Sequence, residues 1–175
     1  MRRSLASTAF PAYPCAMTLP YHTPLSAQQQ ADAGIARPQP LAMADQVRFS
    51  ELDVLNHVNN KAYFEWFERL RIRYTQDWSI SGLDDSAGPR IVIRSGMIRY
   101  LEEMHLNDDY IVTCGCTAYR TASFTLCQQV WAAGSMRASF DCVMVLLQQD
   151  GSGRYPIPAP LRHRFDAIDT AVFEG

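Results

Sequence analysis

The apolar residues of this chain change their period once, and that change constrains the fold more than any other feature. Tyr63, Trp66, Phe67, Leu70 and Tyr74 return at intervals of three and four, while Glu65, Glu68, Arg69 and Arg71 take the opposite positions. This is one amphipathic helix with a broad apolar face. Asn59 or Asn60 can cap its start, and Ser79, Ser81 and Gly82 supply stop and turn chemistry near Trp78 to Gly82. After the helix the period drops to two. Alternation runs through 91–93, 97–100, 110–119, 123–132 and 136–148, with short connections such as Leu106-Asn107-Asp108-Asp109 and Ala133-Gly134-Ser135. Connections that short join antiparallel neighbours, so a meander is expected. Val47-Arg48-Phe49-Ser50 also alternates and reads as a first strand, and Leu161 to Phe165 as a short final segment. One long apolar helix with a long antiparallel sheet makes an α+β layer pair, the sheet wrapped round the helix.

Composition shifts near residue 44. Six of the ten prolines and the run Gln28-Gln29-Gln30 fall in the first forty residues, where Asp32 is the only acid. Such a Pro/Ala/Gln-rich stretch predicts a disordered tail over residues 1–44, followed by a single domain over 45–175. Pro11, Pro14, Pro20 and Pro24 interrupt the amphipathic helix an organelle transit peptide needs, and the apolar run 5–10 is too short for a secretory signal. With 16 Lys and Arg against 18 Asp and Glu, the formal net charge is −2. No positive field is left to follow a phosphate backbone, so nucleic acid is not an expected partner. Arg, Asp, Gln or Pro breaks every hydrophobic stretch short of a membrane span, so no membrane partner is expected either. The five cysteines are an odd number without a CxxC pair, and Cys114 and Cys116 sit two apart on one strand. They are expected as small buried hydrophobes in a reducing compartment, the cytoplasm.

Several catalytic signatures are missing: G-x-S-x-G, H-E-x-x-H, the P-loop and G-x-G-x-x-G. His22, His57, His105 and His163 have no partner at metal-ligand spacing, so no metal site is expected. One stretch, residues 48–64, stands out. It places Asp53 on an Asn-rich turn just ahead of the helix, whose first amides lack intrahelical acceptors and carry partial positive charge. That combination suits acyl transfer. A thioester carbonyl under attack develops an oxyanion, and each amide aimed at it contributes roughly 2.7–4 kcal/mol. Asp53, with an ordinary carboxyl value of about 3.9, is ionised at neutral pH, as a base or a nucleophile must be. His57 either orients Asp53 or the acyl carbonyl, or fills a structural hydrogen-bonding role. Asn59 and Asn60 read as caps that leave the next amides pointing at a ligand. Tyr63 and Phe67 belong to the core face and can also line an acyl tunnel. Glu65 and Glu68 read as solvated partners of Arg69 and Arg71.

The run Ser50-Glu51-Leu52-Asp53 to His57-Val58-Asn59-Asn60, continued by Tyr63-Phe64-Glu65-Trp66-Phe67-Glu68-Arg69-Leu70-Arg71, resembles a known signature. It is that of hotdog-fold thioesterases of the 4-hydroxybenzoyl-CoA thioesterase type, in the acyl-CoA thioesterase branch with an H-V-N-N core. The similarity continues through Arg99-Tyr100-Leu101, Asn107-Asp108-Asp109, Arg120 to Leu126 and Val143 to Leu146, ending at Pro156-Ile157-Pro158, and so covers nearly all of residues 45–165. It implies a hotdog fold, a catalytic aspartate at Asp53 and a carbonyl-polarising backbone amide at about Asn60. It also implies an acyl-CoA substrate, no metal or redox cofactor, and a homodimer with its sites at the interface, or a tetramer of such dimers. In that setting Arg120 and Ser123, at a hairpin turn, suit the nucleotide phosphates of coenzyme A. The segment 101–106 departs from the family pattern, since it lacks a proline and adds Glu102 and Glu103 at the pocket edge. Two other functions fit the same fold. One is a hydratase or dehydratase of thioesters, which needs a histidine beside the acid and has only His57 near Asp53. The other is a non-catalytic acyl-thioester binding module.

Overall fold

The computed structural model describes residues 19–77 and 88–175. In chain order its elements are α1 (Ala27–Asp32), β1 (Leu41–Gln46), a 3-10 turn (Phe49–Glu51), α2 (Asn60–Asp77), β2 (Arg90–Tyr100), β3 (Asp109–Tyr119), β4 (Ser123–Ala132), β5 (Ser135–Leu147), α3 (Ala159–Arg164), a π-turn (Phe165–Asp169) and β6 (Val172–Phe173). The 3.6-residue period becomes α2. Asn59 caps it, its Oδ1 accepting the Lys61 amide at 2.9 Å. Tyr63, Trp66, Phe67, Leu70 and Tyr74 are all buried along one face. The stop expected at Trp78 to Gly82 lies outside the described residues.

The period-two segments become four long strands. In β4 partly exposed and buried residues alternate without a break, and Phe124, Leu126, Gln128, Val130 and Ala132 form its buried face. The sheet runs β1-β3-β4-β5-β2, antiparallel along its length, and β6 adds a short parallel pairing to β3. β3, β4 and β5 are the expected meander. β2 is not part of it: it pairs with β5, from Arg90 opposite Leu147 to Tyr100 opposite Ala138. The reason is that β1 already holds the free edge of β3, from Leu41 opposite Cys114 to Gln46 opposite Asp109. The chain from β2 therefore crosses the end of the sheet before entering β3. On the way the Val58 amide bonds Met104 O at 2.8 Å and the Val47 amide bonds Asp108 O at 2.9 Å, tying the crossover to the turn ahead of α2.

The expected disordered tail is corrected over residues 19–44. The three glutamines that read as low complexity each have a structural task. Gln28 Nε2 donates to Asp32 Oδ1, Gln29 completes a capping box with Ser26, and the Gln30 amide, 1% exposed, bonds Gln39 N and Gln39 O at 2.8 and 3.0 Å. Leu25 and Ile35 bury against Ala42, Ala44 and Ile111 as a second small core on the outer face of the sheet. Burying each of those two large side chains contributes roughly 1.5–3 kcal/mol toward ordering a segment whose composition alone reads as loose. The earlier residues of the expected tail, 1–18, lie outside the described residues. The first strand is β1 rather than Val47 to Ser50, where Phe49–Glu51 forms a 3-10 turn.

Two buried polar groups sit where apolar periodicity places none. Arg71, expected on the solvent side of α2, is buried, and its Nη1 donates to Gln128 Oε1 at 3.0 Å while Gln128 Nε2 donates to Phe67 O at 2.8 Å. Arg69 reaches Asp45 and Glu65 pairs with Lys61, so Glu65, Arg69 and Arg71 take partners other than the expected ones. At the C-terminal end the short final segment becomes α3 and the π-turn. Asp169 Oδ1 there accepts Tyr74 Oη at 2.8 Å and the Cys116 amide at 2.6 Å, next to the β3 bulge between Cys116 and Ala118. Burial pushes the Asp169 carboxyl up to about 6, against the pull of those two donors. Cys114, Cys116, Cys127 and Cys142 are free thiols.

Candidate active site

The turn between the 3-10 helix and α2 is closed by its own backbone. The Asp53 amide donates to His57 O at 2.9 Å, the Asn56 amide donates to Asp53 O at 3.1 Å, and Asn56 takes a left-handed φ of 63° that asparagine tolerates. Asp53 Oδ1 accepts the Leu55 amide at 2.8 Å and the His57 amide at 3.4 Å. Among the described residues both bonds to this carboxylate land on Oδ1, which leaves Oδ2 without a protein donor.

The first turn of α2 divides its amides in the same way. Asn59 Oδ1 takes the Lys61 amide and Asn59 O takes the Ala62 amide at 2.9 Å. The Asn60 amide has no acceptor among the described residues. It is the first residue of an 18-residue helix, where the aligned peptide dipoles favour negative charge. Asp53, Asn60 and Tyr63 line one open cavity of about 370 Å3, which Tyr100, Leu101 and Glu103 also line. Burial pushes the Tyr63 phenol up to about 12, with Tyr100 beside it at a ring distance of 5.3 Å adding to the shift. Tyr63 therefore stays protonated and serves as a wall or a hydrogen-bond donor, never as a base.

The structure brings Asp53, His57, Asn59, Asn60 and Tyr63 to this one cavity. Phe67 is fully buried, stacked on Phe140 at 5.6 Å, and is not among the residues that line this cavity. Arg120 and Ser123 stand away from this cavity within the chain. Tyr100 pairs with Ala138 and Ala138 with Val130, so Ser123, seven residues further along β4, lies roughly 23 Å down the sheet from the site. Arg120 Nε there pairs with Glu174 Oε2 at 3.1 Å. His57 meets Asp53 through its backbone amide, not its ring. The imidazole Nε2 turns to Glu103 Oε2 at 3.1 Å, and Glu103 Oε1 lies 3.6 Å from His105 Nε2. Sequence spacing gives no hint of this grouping, because 46 or more residues separate its members on the two sides of the Val58 to Met104 backbone bond. The only available signal was the pair of acids that breaks the family pattern at 102–103.

A family model described as the thioesterase-like superfamily matches residues 47–165. Among solved structures, a thioesterase superfamily protein from Jannaschia Sp. CCS1 is 37% identical, with a TM-score of 0.81 over 87% of this chain and 98% of that one. A thioesterase from Thermus thermophilus, complexed with coenzyme A and Zn, is 29% identical, with a TM-score of 0.67 over 77% of this chain and 97% of that one. A 1,4-dihydroxy-2-naphthoyl-CoA thioesterase from Synechocystis, 14% identical over 73% of this chain and 96% of that one, shares the fold at a TM-score of 0.64. No curated protein matches the chain. No helix among the described residues is long and apolar enough to cross a membrane.

Proposed function

The chain belongs to the thioesterase-like superfamily, and we propose from that premise that it hydrolyses acyl-CoA thioesters to a free carboxylic acid and coenzyme A. The observation that carries this reading is the pairing, in one cavity, of a carboxylate oxygen and a helix amide that both lack protein partners among the described residues. The carbonyl oxygen of the thioester accepts the Asn60 N–H. Asp53 Oδ2 either takes a proton from water as that water attacks the carbonyl carbon, or attacks the carbon itself to give a mixed anhydride that water then opens. In both routes the oxyanion is stabilised by the Asn60 amide and collapses by expelling the thiolate, which takes up a proton. The coenzyme A held by the Thermus neighbour supports coenzyme A as the thiol.

A second copy of the chain is the proposed partner, as a homodimer or a tetramer of such dimers. Among the described residues β2 pairs on one side only, and Ile93, Met97, Tyr100 and Leu101 on and beside it are exposed. An edge strand with that much apolar surface calls for a covering partner. The free thiols support a reducing compartment, the cytoplasm.

The test is thiol release from aliphatic, benzoyl and phenylacetyl CoA esters by wild type and Asp53→Asn. The variant is expected to lose on the order of a hundredfold or more in turnover. Equal rates would remove Asp53 from the mechanism, and hydration of an enoyl thioester in place of thiol release would transfer the site to the hydratase class. Label from heavy-oxygen water in the Asp53 carboxyl would establish the anhydride route with water opening it at the Asp53 carbonyl, whereas opening at the acyl carbon leaves Asp53 unlabelled, as the general-base route does.

A further inference from the structure

Where the crossover between β2 and β3 passes the turn ahead of α2, Val58 N donates to Met104 O at 2.8 Å. His57 precedes the donor, and Glu103 and His105 flank the acceptor. That main-chain contact brings three metal-ligating side chains together. One ligand atom from each lies within 4.8 Å of the other two. His57 Nε2 lies 3.1 Å from Glu103 Oε2 and His105 Nε2 3.6 Å from Glu103 Oε1, one carboxylate oxygen turned to each ring, close to the spacing of about 3.4 Å that tetrahedral ligands with metal bonds of about 2.0–2.2 Å keep from one another. The rings lie edge to face with centroids 5.3 Å apart, so neither blocks the other's approach to a shared ion.

We propose that His57, Glu103 and His105 form a three-ligand site for a divalent transition-metal ion at the mouth of the Asp53 cavity. Two imidazoles and one carboxylate are a borderline donor set, which suits zinc and selects against the all-oxygen preference of magnesium and calcium. The supporting backbone is already fixed. The His105 amide donates to Asp108 Oδ2 at 2.8 Å and the His57 amide to Asp53 Oδ1, so both ligand-bearing turns are held by carboxylates from behind. Glu102, the other acid of this segment, is taken by Arg137 and leaves the cluster to Glu103. His57 and His105 are 36% and 47% exposed and Glu103 is 60% exposed. An ion can therefore enter from solvent, and a three-ligand set leaves coordination positions for water. The site stands on side-chain geometry and does not depend on thioester turnover.

The test uses the full chain, stripped of metal with a chelator and desalted, titrated with zinc by calorimetry and with cobalt by visible absorption. Wild type is expected to bind one equivalent and to show the ligand-field bands of a low-symmetry cobalt site. His105→Gln and Glu103→Gln are expected to bind on the order of a hundredfold more weakly, and His163→Gln, on α3, as wild type does. Melting without metal checks that the variants fold, and zinc is expected to raise the melting temperature of wild type but not of His105→Gln. Absence of saturable one-equivalent binding by wild type would overturn the proposal. So would equal affinity in folded His105→Gln and Glu103→Gln.

Discussion

Side-chain substitutions cannot ordinarily delete a backbone donor, but the first position of a helix permits it. Asn60→Pro removes the N–H that the proposed mechanism aims at the oxyanion. Proline is favoured at that position, where its fixed φ is already helical and the missing N–H has no intrahelical acceptor. Here the Asn60 amide has no acceptor among the described residues, so its deletion breaks no hydrogen bond of the fold. The residue before proline must be extended, and Asn59, as the cap, stands at a position that is non-helical. Stability is therefore expected to hold or rise slightly, while loss of one oxyanion donor costs about 2.7–4 kcal/mol, a fall of roughly 100 to 1000-fold in kcat.

Asn60→Ala is the necessary companion, because it deletes the side chain and keeps the amide. It is expected to retain kcat near wild type. The assay is steady-state hydrolysis of the best ester from the panel, with melting curves of all three proteins. Wild-type kcat in a folded Asn60→Pro enzyme would refute the oxyanion assignment. Equal losses in Asn60→Pro and Asn60→Ala would move the role from the backbone to the carboxamide.

Two further perturbations follow from the fold. A Cβ on Gly96 would lie 2.5 and 2.6 Å from Phe140 Cε2 and Cζ, and the Phe140 ring is held between Phe64 and Phe67. Gly96→Ala is expected to destabilise by roughly 1–3 kcal/mol, and Phe140→Leu to recover part of that in the double variant; an unchanged melting temperature would show the ring free to move. The Asp169 carboxyl, raised from an ordinary 3.8 to about 6, keeps its proton in the folded state after the unfolded chain has released it. Its contribution to stability is therefore full below about pH 4 and lost as pH rises through about 6, with an upper bound of about 3 kcal/mol that solvent screening reduces to roughly 1–2 kcal/mol. The stability of wild type minus that of Asp169→Asn is expected to fall across that window, and a flat or rising difference in chemical denaturation would refute it.

The elements that read directly from sequence are those whose pattern is local. The α2 face and the perfect alternation of β4 each report a surface with one wet side, and Asp53 announces itself by standing on a turn just before a helix start. Where both sides of an element are covered, periodicity disappears. β1 is buried on one face by α2 and on the other by Leu25 and Ile35, which flank α1, shows no alternation, and sits in a segment that composition marks as loose. Its absence from the reading also misplaced β2, because a sheet without β1 offers the β3 edge as the natural partner.

The site divides along the same line. Asp53, Asn59 and Asn60 lie within one turn and a helix start, and their geometry follows from neighbours in sequence. Arg71 turns inward only because Gln128, 57 residues away, supplies an acceptor in the core. Likewise, His57 meets Glu103 and His105 only because the crossover that β1 imposes on β2 carries residues 101–108 back past the turn ahead of α2. A pattern of spacings cannot carry that contact, since the strand that causes it belongs to neither segment. The acids at 102 and 103, which read as a departure from a family pattern, acquire their meaning from that route. One is neutralised by Arg137, and the other is left facing two imidazoles at the mouth of the cavity.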